Sequence, residues 1–426
     1  MLKKYNKEQV GELLTLLDKR ASDISPEIIK TVTDVITDVR KNGDEALRRY
    51  TKNFDKVELG ESMYLDPAET EKAGEKLSSE LKSAMERAAE NIMAFHKMQK
   101  SQGVDYSADG IKMGQRVLPL NRVGLYVPGG SAAYPSSVLM NAIPAKVAGV
   151  KEIIMATPPK AGDGINPAVL YAAKIAGVTD IITVGGAQAV AAMAYGTESI
   201  ARVDKIVGPG NIFVATAKRL VYGAVDIDMI AGPSEVLVIA DENANPAYIA
   251  ADLMAQAEHD PMAASILVTT SDKVVDGVCR ELEAQLKTLS RNEIIRKSLE
   301  ACGSAVVVDS LDEAAILSDI IAPEHLELAV KDPETLLGKV KNAGSIFLGE
   351  YTPEPLGDYY AGPNHVLPTN GTARFSSSLS TDSFLKRSTY LSYSKEKLAE
   401  ASSDIIAFAN SEGLTAHANS IIVRGR

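Results

Sequence analysis

The sequence predicts an α/β protein built on two parallel sheets, with a helical N-terminal arm and a small helical C-terminal tail. Three observations predict it. From Arg122 onward, short apolar runs recur without polar alternation: VGLYV, EIIMA, DIITV, KIV, SEVLVIA, SILVTT, SAVVV and SIFL. Strands buried on both faces of a sheet read this way, because neither face meets water. Ala-rich stretches of helical length, such as VLMNAIPAKVAGV, separate the runs, the alternation expected of βαβ units. The runs also fall into two groups that divide near residues 232–242.

Taken in order, residues 7–20 place Val10, Leu13, Leu14 and Leu17 at helical spacing. Ser25, Pro26 and Glu27 then supply a cap, a first-turn proline and a first-turn acid. Charged, amphipathic helices continue to about residue 100 and carry nothing chemical; His96 within them reads as structural. The α/β runs follow, and the last fifty or so residues revert to Ser-rich and then helical sequence, a separate appendage. The expected divisions are an arm at 1–24, a helical region packing on the α/β core at 25–119, α/β domains at 120–236 and 237–375, and a tail at 376–426.

A chain of 426 residues is long enough for two or more cores. The formal charge of −11 argues against a nucleic-acid partner, which would need clustered Lys and Arg. The only cysteines, Cys279 and Cys302, stand in no metal or redox spacing and read as inert thiols of a reducing compartment. The N-terminus lacks the apolar core of a signal peptide, and no stretch is long and apolar enough to span a bilayer. The expectation is a cytoplasmic protein acting on a small molecule.

Three glycine-rich turns follow strand-like runs: Val127-Pro128-Gly129-Gly130-Ser131, Gly185-Gly186-Ala187-Gln188 and Gly208-Pro209-Gly210-Asn211. Glycines there mostly serve the turn itself, and neither G-x-G-x-x-G nor a triphosphate-binding loop is present. Three at successive strand ends still point to a ligand, since open α/β sheets bind ligands beyond the carboxyl ends of their strands.

In AQAEHDP at 255–261, Gln256 and His259 lie at i and i+3 of a helical pattern that begins near Pro246, and so share a face. Imidazole suits zinc, whereas glutamine is an unusual ligand on chemistry alone, and a helix-end histidine can equally cap carbonyls. In APEHLEL at 322–328, Pro323 fits the first position of a helix. That places Glu324 and His325 in a first turn, whose positive end keeps both deprotonated and able to accept protons. Asp358 and His365 lie in the Gly/Pro/Tyr-rich loop LGDYYAGPNH, and Glu412 and His417 in EGLTAH near the end. Alone, each reads as a surface group. Together they bring four of the five histidines into Gly-, Pro- or acid-marked segments.

These segments, in this order, resemble the histidinol dehydrogenase family: VGLYVPGGSAAYPSSVLMNAIPAKVAGV, GGAQAVAAMAYGT, KIVGPGNIFVATAK, AGPSEVLVIAD, MAQAEHDP, APEHLEL, GDYYAGPNHVLPT and GLTAHANSI. The resemblance implies a homodimeric enzyme of histidine biosynthesis with two incomplete Rossmann-like domains. It would be NAD-dependent and zinc-containing, and oxidise L-histidinol to L-histidine through the aldehyde in two hydride transfers. It implies that Gln256, His259, Asp358 and His417 hold zinc, that the first α/β domain is the NAD side and that the second carries the zinc and catalytic residues. Glu324 would activate water and His325 act as acid and base. Tyr126, Gln188 and Asn211 would contact NAD. Ser234, His365 and Glu412 match substrate-contacting positions, and His325 and the zinc ligands would also meet substrate. The tail with Glu412 and His417 would complete the partner's site. Some relatives carry cysteines in the first α/β region that have been proposed as nucleophiles; Cys279 and Cys302 lie elsewhere, which weighs against a covalent thiohemiacetal here. The competing readings are a dehydrogenase of the same family acting on another polyol or a sulfonated diol, and a zinc hydrolase with Glu324 as base.

Overall fold

The computed structural model describes every residue except 21–23, 100, 130–133, 161, 163 and 426. Its strands are β1 (Lys3–Tyr5), β2 (Val104–Ala108), β3 (Ile111–Pro119), β4 (Arg122–Tyr126), β5 (Glu152–Ala156), β6 (Asp180–Ile182) and β7 (Lys205–Val207), followed by β8 (Asp226–Ile227), β9 (Glu235–Ala240), β10 (Ala264–Thr269), β11 (Ser304–Val307), β12 (His325–Ala329), β13 (Ser345–Leu348) and β14 (Leu385–Tyr393). Two compact units form: Met1–Gln99 with Asn121–Phe384, and Lys100–Leu120 with Leu385–Arg426.

The first unit holds both expected parallel sheets. One has the order β6-β5-β4-β7-β8 and the other β1-β11-β10-β9-β12-β13, with every pairing parallel. Strand β9 shows why its sequence is apolar throughout. Leu237 and Ile239 enter one core, while Val236, Val238 and Ala240 enter another on the opposite face, as the two-residue period of a strand requires. At about 25 cal/mol per Å² of apolar area, this double burial is the main force holding the strand central.

The N-terminal arm is only partly the expected helix. Lys3–Tyr5 adds β1 to the edge of the second sheet beside β11, with Tyr5 buried, before the helix Val10–Arg20 begins. A three-residue strand with one buried side chain is too short to show a period. The helix Pro26–Phe54 starts as expected, with the Ser25 side chain accepting from the Ile28 N–H. His96 is fully buried in the helix Ser79–Met98.

The second unit pairs β14 antiparallel with β3, and β3 with β2, and adds the helices Lys395–Ser411 and Thr415–Ile422. The tail therefore opens with a nine-residue strand, where only Ser-rich and helical sequence was expected.

Candidate functional site

APEHLEL does not start a helix. The helix Leu311–Ile321 ends at Ala322, whose φ of 51° is left-handed, and Pro323 prevents it from continuing. His325 is then the first residue of β12. The alternation of Leu326 and Leu328, which enter the same core, was the strand signal in the sequence, and proline at a helix start masked it. Strand alternation places His325 and Glu327 opposite Leu326 and Leu328. Adjacent Glu324 and His325 therefore diverge by strand geometry.

Both are anchored by one residue. Glu324 accepts from the backbone N–H of Glu235 at 3.0 Å, and His325 Nδ1 lies 3.3 Å from the backbone oxygen of Glu235. Since β9 neighbours β12, with Val236 opposite His325, the catalytic candidates stand at the amino ends of the central strands of the second sheet. The three glycine turns lie beyond β4, β6 and β7 of the first sheet, at carboxyl ends.

Burial opposes the deprotonation expected from a helix start for Glu324. Loss of solvent pushes its carboxyl well above the ordinary value, with Glu235 and Asp358 adding repulsion, against hydrogen bonds from the Glu235 backbone and Ser234. His325 is neutral, as expected, but by burial, which lowers it to about 3. Its Nε2 is buried and has no hydrogen-bond partner among the described residues. With the ring proton on Nδ1 and directed at the Glu235 carbonyl, the Nε2 lone pair is left for an incoming group. Carboxyl oxygens of Glu324, Glu354 and Asp358 lie 3.9, 4.0 and 3.9 Å from the ring nitrogens. A cavity of roughly 100 Å³ opens here, lined by His325, Phe347, Asp358 and His365 among others.

Gln256 lies in the last turn of the helix Pro246–Ala257 and is fully buried. Its amide is assigned with nitrogen toward Glu354 Oε2 at 3.2 Å and the Glu235 carbonyl at 3.3 Å, both acceptors. His259 lies past the helix end, in the turn, with its N–H donating to the Gln256 carbonyl; the two do not share a helix face. Asp358 sits in the helix Glu354–Tyr359, not in a loop, and burial raises it to about 7. Nitrogen of His259 and carboxyl oxygens of Glu354 and Asp358 all lie within 4.8 Å of one another, a nitrogen and oxygen set that zinc accepts. Glu354 was missed in the sequence, although Glu354 and Asp358 stand at i and i+4 on one helix face. His365 Nδ1 is 3.8 Å from Asp358, and burial lowers His365 to about 4. Beside it, Asn364 donates to the Met140 carbonyl at 2.6 Å, tying this loop to a helix of the first sheet. Half-buried Ser234 directly precedes β9.

In the first sheet, Tyr126 ends β4, and its hydroxyl accepts from the Gly186 N–H at 3.0 Å. Gln188 is buried in the first turn of the helix Gly186–Tyr195. Asn211 caps the helix Ile212–Val221 by accepting from the N–H groups of Phe213 and Val214 at 3.1 and 3.2 Å. Of the turn after β4, Gly130 and Ser131 lie outside the described residues. Glu412 and His417 belong to the second unit and are exposed in the single chain. Cys302 is buried, and Cys279 only partly so; both are free.

A sequence model of the histidinol dehydrogenase family matches residues 18–425. A histidinol dehydrogenase of Clostridium acetobutylicum is 56% identical over 409 residues, covering 96% of this chain and 95% of that protein. One of Lactococcus lactis is 55% identical over 427 residues, covering 100% and 99%. A crystal structure of histidinol dehydrogenase from Elizabethkingia anophelis superposes with a TM-score of 0.93 at 39% identity, covering 99% and 98% of the two chains.

Proposed function

The chain belongs to the histidinol dehydrogenase family, and we propose that it oxidises L-histidinol to L-histidine through the aldehyde, reducing two NAD in succession, as a step of histidine biosynthesis in the cytoplasm. Neither the family nor its relatives support the hydrolase reading. The observation that carries the mechanism is the anchoring of Glu324 and His325 on the backbone N–H and carbonyl of one residue, Glu235, beside the converging His259, Glu354 and Asp358.

Zinc, held by Gln256, His259, Asp358 and His417 of a second copy, would supply a Lewis-acidic contact for the amine and imidazole nitrogens of histidinol, and NAD would supply the hydride acceptor. His325 Nε2 takes the alcohol proton as the carbinol carbon is oxidised. The imidazolium so formed has three carboxyl groups within 4.0 Å of its nitrogens, and each of them that ionises stabilises it. In the second stage Glu324 removes a proton from the water that attacks the aldehyde, and His325 assists oxidation of the hydrate. A carboxyl with a raised pKa is a stronger base once ionised, and the substrate ammonium favours ionisation when it enters this acidic cluster.

The domain at 120–236 serves NAD, with Tyr126, Gln188 and Asn211 ordering the turns that face it. The domain at 237–375 carries the metal and catalytic groups. Ser234, His365 and Glu412 contact the substrate. Exposed Glu412 and His417 fit a role in the site of a homodimeric partner, as do the exposed apolar side chains Val104, Met113, Leu391 and Phe408 of the second unit.

The test is NADH formation by the purified protein with histidinol, with loss on chelation and return with zinc. A Glu324→Gln variant should form aldehyde in a single turnover but stall before the acid. A general base typically contributes about 10²- to 10⁴-fold, so equal slowing of both stages would refute the assignment.

A further inference from the structure

Arg20, the last residue of the helix Val10–Arg20, is a cation with almost no access to water: 2% of its side chain is exposed. Among the described residues, its side-chain hydrogen bonds run to the segments that build the site. Nε donates to the Met262 carbonyl at 2.8 Å, and Nη2 to the carbonyls of Pro233 and Ser234 at 3.2 and 3.0 Å. Nη1 meets the Glu235 carboxylate at 3.2 Å, where the carboxylate is 3% exposed. The second oxygen of Glu235 accepts from the Asn370 N–H at 3.0 Å.

Glu235 has two functions that its side chain does not perform. Its N–H holds Glu324 and its carbonyl receives His325. Any rotation of the 235 peptide groups moves both catalytic candidates at once. The guanidinium grips the side chain of that residue, the two carbonyls before it, and the carbonyl at 262, three residues past His259. Its fixed planar fork can hold these directions together, as a lysine ammonium cannot.

We propose that Arg20 is a positioning residue for the reaction, fixing the peptide groups of Glu235 so that Glu324 and His325 present their reactive atoms to the substrate. It touches neither substrate nor cofactor. The proposal rests on the roles given to Glu324 and His325 above.

The test compares wild type with Arg20→Met, Arg20→Lys and the double variant Arg20→Met/Glu235→Gln, in steady-state and single-turnover NADH assays with histidinol and in thermal unfolding. A misplacement of about 1 Å can cost on the order of 10²-fold in rate. Arg20→Met should therefore lose roughly 10- to 100-fold in kcat with the KM for NAD little changed, and should slow both oxidation stages, unlike Glu324→Gln. Arg20→Lys should recover part of kcat. The double variant removes the stranded carboxylate, so it should recover thermal stability while kcat stays low. A merely structural role would let kcat return with stability, and that result overturns the proposal, as does a folded Arg20→Met with kcat within about twofold of wild type. If Arg20→Met does not fold, Arg20→Lys and the double variant decide by the same criteria. Absence of NADH from wild type would instead overturn the reading of the reaction, and this proposal with it.

Discussion

Replacing Lys218 by Met tests how the turn at Gly208-Pro209-Gly210-Asn211 is held. Lys218 Nζ pairs with Asp228 and donates to the Gly208 carbonyl at 2.9 Å. Asp228 accepts from the Gly208 N–H at 2.8 Å and from the Met229 N–H at 2.7 Å. The pair thus clamps both polar groups of one peptide residue, and its side chains are 4% and 2% exposed. Breaking a buried pair by removing one partner costs about 3–5 kcal/mol, because the other charge is left uncompensated. Unfolding entropy near 2.1 cal/mol/K per residue gives about 0.9 kcal/mol/K for a chain of this length, if it unfolds as one cooperative body. The expected fall in Tm is therefore roughly 3–6 °C. The double variant Lys218→Met/Asp228→Asn keeps the acceptor without the stranded charge and should lie between the single variant and wild type. Calorimetry reads the Tm, and titration with NAD reads the turn, where affinity should drop about tenfold. A Tm within about 1 °C of wild type together with unchanged NAD affinity would refute the clamp.

Two further outcomes follow from single residues. Gly208 has a φ of 110°, and a Cβ there would stand 2.1 Å from the Tyr126 carbonyl oxygen; Gly208→Ala should cost more than about 1 kcal/mol and weaken NAD binding, read by the same two measurements. Burial holds buried His96 below its ordinary pKa, against the raising effect of its bond to Gln99. The folded state then binds fewer protons than the unfolded state below about pH 6.5, so its contribution is complete above that pH and is lost as pH falls toward the depressed folded value. Wild type should lose more Tm between pH 7 and 5 than His96→Asn, and parallel losses would contradict the assignment.

The sequence by itself determined the secondary structure of the α/β core, because burial on both faces leaves a signature that depends only on neighbours along the chain. RVGLY, EIIMA, EVLVIA and SILVT are strands, and the Ser25 cap and Pro26 start a helix. It also marked Glu324, His325, Gln256, His259, Asp358 and His365 as chemically unusual by their company. Tertiary structure decided what local rules could not. Pro323 satisfies both a helix start and a helix stop, and the preceding helix with its left-handed Ala322 selected the stop. Charge states went the same way: Glu324 is governed by loss of water and by Glu235 and Asp358, both far from it in sequence. Glu235 and Arg20 gave no signal, since one stands inside an apolar run and the other ends a charged helix. Their roles exist only where a buried guanidinium meets the carbonyls of segments more than two hundred residues away, a distance that no sequence period spans.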